Sequence, residues 1–203
     1  EKLNEIFKEL EFKTWLEQEE KEKPKEVSIK KANYELINTK ESLEGLVKKM
    51  KASSIVSIDT ETDGLDYMDV NLVGISISTK SGEGSYIPLL HEDESIKQLS
   101  TDFVIKKLKP VLESSKVKLI GQNIKFDMNI LSRYGINIKQ IESDTMLMSY
   151  VLNSTATRHN LDALSGYYLN HKTITFEEIA GKGAKQITFD KVSIDKAVEY
   201  ASE

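Results

Sequence analysis

The apolar run Ile55-Val56-Ser57-Ile58 constrains this chain more than any other segment, because it leads straight into two carboxylates, Asp59 and Glu61, spaced i, i+2. A short β-branched run of this kind reads as a strand. Residues two apart in a strand point to one face, so the fold must deliver both acids side by side at the end of a sheet. Two unit charges about 4 Å apart at an effective dielectric near 20 repel by roughly 4 kcal/mol, so the pairing makes sense when a positive group sits between them. Mg²⁺ and Mn²⁺ favour carboxylate oxygen and are the obvious candidates. Exposed acids at strand ends are common, however, so Asp-x-Glu spacing does not decide the matter and other segments must.

From Val27 onward short apolar runs alternate with helical patterns, the signature of an α/β domain. Strands are expected at Ile55–Ile58, Leu72–Ser78, Tyr86–Leu90 and Val117–Ile120. The turn-prone stretch Thr79–Gly84 links the second to the third, so the first three form an antiparallel meander. Helical spacing falls near residues 42–50, 101–112, 125–134 (closed by Gly135), 145–152, 160–169 and 194–203. A meander followed by a helix and a parallel strand is the opening topology of a ribonuclease H-like mixed sheet flanked by helices. Sites in such sheets form beyond the carboxyl ends of strands, where Asp59 and Glu61 would stand.

Ahead of this domain, Leu3, Phe7, Leu10 and Trp15 recur at helical spacing over about residues 2 to 17, and Glu17–Glu26 is a mixed-charge run with a proline. Residues 1–26 are therefore expected to be a helix and solvated linker, and residues 27–203 the domain. A chain of 203 residues with 39% hydrophobic content can bury one sizeable core. The absence of cysteine excludes disulfides, zinc–thiolate sites and cysteine nucleophiles, so any metal is bound through oxygen. A net charge of −5 argues against gripping long nucleic acid by an overall field, yet allows a cleft for a few nucleotides. No apolar run approaches the roughly 18 residues of a membrane span, and the expectation is a soluble, cytoplasmic monomer with no membrane partner.

Two further segments bear on the acids. Gly121-Gln122-Asn123-Ile124-Lys125-Phe126-Asp127 starts at a strand end and runs into a helix, which brings Asp127 beside a neighbouring strand end. By itself Asp127 is also an ordinary first-turn acid favoured by the helix dipole, and Asn123 an ordinary N-cap. Tyr200 lies on the helical run Ile194–Glu203, where Ala197 and Ala201 leave room for close approach.

Taken in order, Asp59-Thr60-Glu61-Thr62-Asp63, Asn71-Leu72-Val73-Gly74, Tyr86-Ile87-Pro88, Gly121-Gln122-Asn123, Asp144-Thr145-Met146-Leu147 and Lys172–Gly183 resemble the 3′-to-5′ proofreading exonuclease domain of bacterial family A DNA polymerases. That domain belongs to the tyrosine-containing branch of the DEDD exonuclease superfamily. The likeness spans about Val27 to Glu203, and Phe7–Lys13 resembles the tail of the 5′-nuclease module that precedes it in the family. The resemblance implies an enzyme that hydrolyses the terminal phosphodiester of single-stranded or frayed DNA 3′ ends, with two divalent ions, Mg²⁺ or Mn²⁺, and releases nucleoside 5′-monophosphates. It also implies covalently linked polymerase and 5′-nuclease modules in the full-length protein.

Carried over by motif position, Asp59, Glu61 and Asp127 are implied metal ligands and catalytic acids, and Tyr200, with Glu61, is implied to orient the attacking water. Asp59 would bridge both ions, Glu61 would help hold the first and Asp127 the second. Thr60, Leu65, Gln122, Asn123, Arg158 and Phe176 match positions at the bound strand, with Leu65 as a wedge between terminal bases and Phe176 against the terminal nucleotide. Packing in a core is the plain alternative for Leu65 and Phe176, and a surface arginine for Arg158. His91, His159 and His171 show no metal-ligand spacing and receive no role.

The family's third motif places an aspartate four residues after the tyrosine, one helical turn on. That position would be 204, one past Glu203, and Glu203 itself is rotated by about 100° on a helix, a poor substitute. The resemblance therefore implies a weakened first metal site in the chain as given. Two other readings stay open at this point: an exonuclease-like domain that binds DNA or serves architecture without cutting, and a DEDD ribonuclease. The polymerase-type Lys172–Gly183 segment favours DNA.

Overall fold

The structure is a computed structural model and describes residues 5, 6, 9, 10, 32–155 and 157–203. Of the helix expected over residues 2 to 17 only those four residues are described, and the charged linker lies outside the described residues.

Six strands form one mixed sheet: β1 (Asn33–Leu36), β2 (Ile55–Thr62), β3 (Leu72–Lys80), β4 (Glu83–Pro88), β5 (Lys118–Gly121) and β6 (Ile141–Asp144), in the spatial order β1-β4-β3-β2-β5-β6. The expected meander is β2-β3-β4, antiparallel throughout, while β1 pairs with β4, β5 with β2 and β6 with β5 in parallel. The second hairpin turns at Gly82 with φ 79°, in the left-handed region that glycine enters without a Cβ penalty. Strand β2 continues four residues beyond Ile58 and so carries the acids within the ladder. Strand β4 stops at Pro88 instead of reaching Leu90, because the amides of Leu89 and Leu90 both donate to the carbonyl of Val73.

The helices are α1 (Lys40–Ala52), α2 (Thr101–Leu112), α3 (Lys125–Arg133), α4 (Thr145–Leu152), α5 (Leu161–Leu164), α6 (Phe176–Ala180) and α7 (Ile194–Ser202). A reciprocal cap between Thr39 and Ser42 starts α1. The expected helix over 160–169 is one α turn, α5, followed by a π turn at Ser165–Leu169 that ends on Asn170 in the left-handed region.

Register and the two-residue period of strands sort the side chains onto two faces. Ile58 and Thr60 on β2, Ile75 and Ile77 on β3, and Ile87 on β4 share one face, and α1, α2 and α3 bury it through Leu43, Leu46, Met50, Val104, Leu108, Ile130 and Leu131. Each such side chain contributes about 1.5–3 kcal/mol on full burial, so this larger core dominates stability. The opposite face carries two rows, Asp59–Ser76–Tyr86 and Glu61–Gly74–Pro88. A smaller cluster of Val73, Tyr86, Ala180, Phe189, Val192 and Ala197 lies there, with Phe176 and Tyr200 packed against it.

Candidate active site

The acids occupy the end of β2 on the face of the smaller cluster. Beyond Glu61 the ladder carries a bulge: Glu61 pairs with Gly74 and Thr62 with Leu72, which leaves Val73 as the extra residue. Bulges of this kind redirect side chains at sheet ends.

Asp127 reaches the same point from the first turn of α3. It is buried, and its Oδ1 accepts from both the backbone amide (2.7 Å) and the hydroxyl (2.6 Å) of Thr60. Thr60 sits between Asp59 and Glu61 in sequence, so these two bonds pin the start of α3 to the acid-bearing strand. Thr60 is expected at the bound strand; it is buried, and its hydroxyl is directed to Asp127.

Burial and mutual repulsion govern the charge state. Burial, and then the charge of Asp127, push the Asp59 carboxyl up to about 8. Glu61 is driven well above the usual carboxylate range by burial first and by Asp59 and Asp127 next. Asp127 rises to about 6 because burial and the charge of Asp144 outweigh the lowering effect of the Thr60 bonds. None of the ion pairs among the described residues involves these three acids. Three hard oxygen donors held together without a cation of the protein's own suit a divalent metal. The carboxylates are neighbours without surrounding a single point, since no three His, Asp or Glu side chains among the described residues form a ready metal-holding group.

Tyr200 lies on α7, its ring 6.3 Å from Phe176 and 5.8 Å from Phe189. Its hydroxyl is held protonated, first by burial and then by the charges of Glu61, Asp59 and Asp162, so it belongs electrostatically to the acid site. Two features seat α7: Asp93 Oδ2 accepts from the Ile194 amide (3.1 Å), and Gly84 meets Ser202 so closely that a Cβ would overlap its backbone. Glu203 does not turn toward the acids. Its two oxygens take the Nε2–H of His171 (2.6 Å) and the amide of Ile174 (2.6 Å).

The remaining expected residues lie on separate loops and helices. Leu65 projects from the 63–71 loop and is 92% exposed. That loop is closed by Asp63, which accepts from the backbone and side-chain nitrogens of Asn71 (2.8 and 2.7 Å), and by Arg133 Nη1 on the carbonyls of Tyr67 and Val70. Phe176 stacks on Phe189 at 6.4 Å. Gln122 donates to the His159 carbonyl (2.7 Å) and accepts from Thr145 (2.5 Å), which ties the exposed Arg158 loop to the end of β5. Asn123 adopts φ 54° and donates its amide to Asp144 (3.1 Å).

A family model described as a 3′-5′ exonuclease matches residues 34–203. The chain belongs to this 3′-5′ exonuclease family. Among curated proteins, the DNA polymerase I of Pseudomonas aeruginosa is 40% identical over an alignment that covers 98% of this chain and 23% of that protein. The chain thus spans about a quarter of that relative's length. Trypanosoma brucei RNase D shares the fold at a TM-score of 0.65 and 14% identity, covering 86% of this chain and 61% of that one. Brucella melitensis NrnC with bound Mg²⁺ does so at 0.56 and 18%, covering 85% and 73%. These two likenesses establish the ribonuclease H-like exonuclease fold and no more.

Within the exonuclease domain, several residues act that sequence reasoning passes over. Asp144 caps α4 by accepting from the amides of Met146 and Leu147, and also from those of Asn123 and Ile124. One carboxylate therefore holds together the start of α4 and the loop that delivers Asp127. Its position before an apolar helical run is a readable cap signal. His159 stacks on Tyr150 at 3.8 Å and meets the hydroxyl of Ser149. His171 and His91 also have partners, which no local spacing reveals.

Proposed function

We propose that this domain removes nucleotides singly from the 3′ ends of single-stranded or frayed DNA, as the proofreading module of a bacterial DNA polymerase I in the cytoplasm. One observation carries the reading: Asp59, Glu61 and Asp127 come together from two elements, raised in pKa and with no ion-pair partner among the described residues, and the charges of Glu61 and Asp59 act on the hydroxyl of Tyr200. The carboxylates of Asp59, Glu61 and Asp127 would hold two divalent ions, Mg²⁺ or Mn²⁺. Bound there, such ions supply charge neutralisation at the phosphate and lower the pKa of water.

The chain's own groups do the rest. Glu61 accepts a hydrogen bond from the attacking water, and the protonated Tyr200 hydroxyl fixes its orientation. Water oxygen bonds to phosphorus as the P–O3′ bond breaks, the proton that the water sheds passes to solvent, the 3′ oxygen takes a proton from solvent, and the nucleoside 5′-monophosphate leaves. Thr60 keeps Asp127 in place. Leu65 wedges the terminal bases apart and Phe176 packs on the last one; contacts of this sort are worth about 1–3 kcal/mol per base and tolerate any sequence. Gln122, Asn123 and Arg158 steady the strand. The domain acts within one monomeric polypeptide that also carries polymerase and 5′-nuclease modules, a reading supported by the much greater length of the Pseudomonas DNA polymerase I.

The test is digestion of a 5′-labelled single-stranded DNA oligonucleotide in Mn²⁺ by the chain and by Asp59→Ala, beside an RNA oligonucleotide of the same sequence. A single-nucleotide ladder on DNA that Asp59→Ala reduces by roughly 10²–10³-fold or more is expected, the scale of losing one preorganised charge-stabilising group. An unchanged ladder in the variant would overturn the site, preference for RNA would overturn the substrate, and binding without cutting, even by a version extended through position 204 with aspartate, would overturn catalysis.

A further inference from the structure

His91 follows β4 and is buried, with its backbone gripped on both sides by one amide. Its N–H donates to Gln98 Oε1 (2.9 Å) and its carbonyl accepts from Gln98 Nε2 (2.8 Å). The imidazole then spans two elements. Nδ1 lies 2.9 Å from the Val192 carbonyl, which can only accept, so Nδ1 carries the proton and the neutral ring's Nε2 accepts from the Tyr86 hydroxyl at 2.8 Å. Burial holds the ring neutral by lowering its pKa against the raising influence of the Val192 bond, Asp93 and Asp190.

Both ends of this bridge lead to the acid site. Tyr86 is fully buried, and its hydroxyl end fills the space where Gly74 lacks a Cβ. Gly74 is the cross-strand partner of Glu61, and the charge of Glu61 bears on the Tyr86 hydroxyl. On the other side, Val192 precedes the entry of α7, and Phe189 lies between the rings of His91 (5.6 Å) and Tyr200 (5.8 Å). Asp93, two residues on from His91, accepts from the first amide of α7.

We propose that His91 is a positioning residue: by joining Tyr86 beside Glu61 to Val192 at the entry of α7, it sets where Tyr200 stands relative to Asp59 and Glu61. The inference rests on the roles proposed above for Tyr200 and the acids. Misplacement of a reacting group by about 1 Å can cost roughly 100-fold, so loss of the bridge is expected in the rate at saturating DNA and not in KM.

His91→Phe keeps a ring and loses both hydrogen bonds; His91→Asn keeps a donor where Nδ1 stood. The expected result is a fall in kcat of roughly 10- to 100-fold for His91→Phe with KM unchanged, partial recovery in His91→Asn, and no added loss when His91→Phe is combined with Tyr200→Phe. An equal loss in the Tyr200→Phe background, or an unchanged kcat, would overturn the proposal. A second readout is the ring NMR signals of Tyr200, identified by their disappearance in Tyr200→Phe. They should move in His91→Phe and stay in Met50→Leu, a substitution in the larger core; signals that stay in both would sink the idea even if the chain cuts slowly. If instead Asp59→Ala and Tyr200→Phe leave cleavage intact, the underlying reading of the site has failed, which is a separate outcome.

Discussion

The acid half and the tyrosine half of the site are built by different means. Asp59 and Glu61 ride on a central strand whose other face is sealed by the larger core, and Asp127 is bolted to that strand through Thr60. Tyr200 rides on a nine-residue helix held by a small aromatic and alanine cluster, the Gly84 contact and two hydrogen-bonding side chains, His91 and Asp93. Local opening draws on the regions with least buried apolar contact, so the tyrosine half is the one expected to loosen while the acids stay fixed. This arrangement keeps the acids rigid and leaves the tyrosine adjustable.

The largest effect that would sharpen this contrast is the pH dependence of stability without metal. The folded-state pKa values of Asp59, Glu61 and Asp127 all lie above those of an unfolded chain, so between about pH 4 and pH 8 the folded state binds more protons. Unfolding free energy should then fall as pH rises through that window. His91, whose pKa is lowered, opposes the slope only up to about pH 6.5. Urea denaturation at pH 5 and pH 8.5 in EDTA measures the fall, Asp59→Asn should flatten it, and Mn²⁺ should restore stability at the higher pH. A profile that is flat in EDTA and indifferent to Mn²⁺ would mean the acids are not held against one another.

A smaller effect tests the tyrosine half. Gly84→Ala places a methyl against the Ser202 backbone, and overpacking of this kind costs about 1–3 kcal/mol. Because the strain can be relieved by tilting α7, hydrogen exchange should quicken at residues 194–202 and stay unchanged in β2. Uniform quickening across both would erase the distinction between the halves.

The same division governs what the sequence could reveal. The shared face of Asp59 and Glu61 was legible because the two-residue period of a β-branched strand needs no tertiary knowledge, and α2 and α4 were legible to the residue, α2 through regular apolar spacing and α4 as a compact, mostly apolar run. Strands β1 (Asn-Tyr-Glu-Leu) and β6 (Ile-Glu-Ser-Asp) escaped because each has four residues, too few for the alternation of β1 to stand out and with a single apolar residue in β6; they pair along the edges that β4 and β5 offer. The bond between His91 and Val192 crosses 101 residues of chain, and that between Thr60 and Asp127 crosses 67. No local pattern encodes either, so these long-range bonds stayed hidden while the shared face of Asp59 and Glu61 did not.

The smallest expected change in stability belongs to a residue that neither half holds. Leu65 is 92% exposed, so Leu65→Ala removes almost no buried area and should shift the unfolding free energy by less than about 0.5 kcal/mol. Its loop is nonetheless tied down at three points, by Asp63 on Asn71 and by Arg133 on Tyr67 and Val70. Ordering a loop that presents a bare leucine to solvent brings no stability through that leucine. If Leu65 wedges between terminal bases, the alanine variant should bind a single-stranded 3′ end more weakly by about 1–3 kcal/mol, roughly 5- to 150-fold in Kd, with an unchanged melting temperature. Fluorescence anisotropy with a labelled oligonucleotide measures this, and a Kd that does not move would place the bound strand elsewhere, away from the mouth between the rigid acids and the adjustable tyrosine.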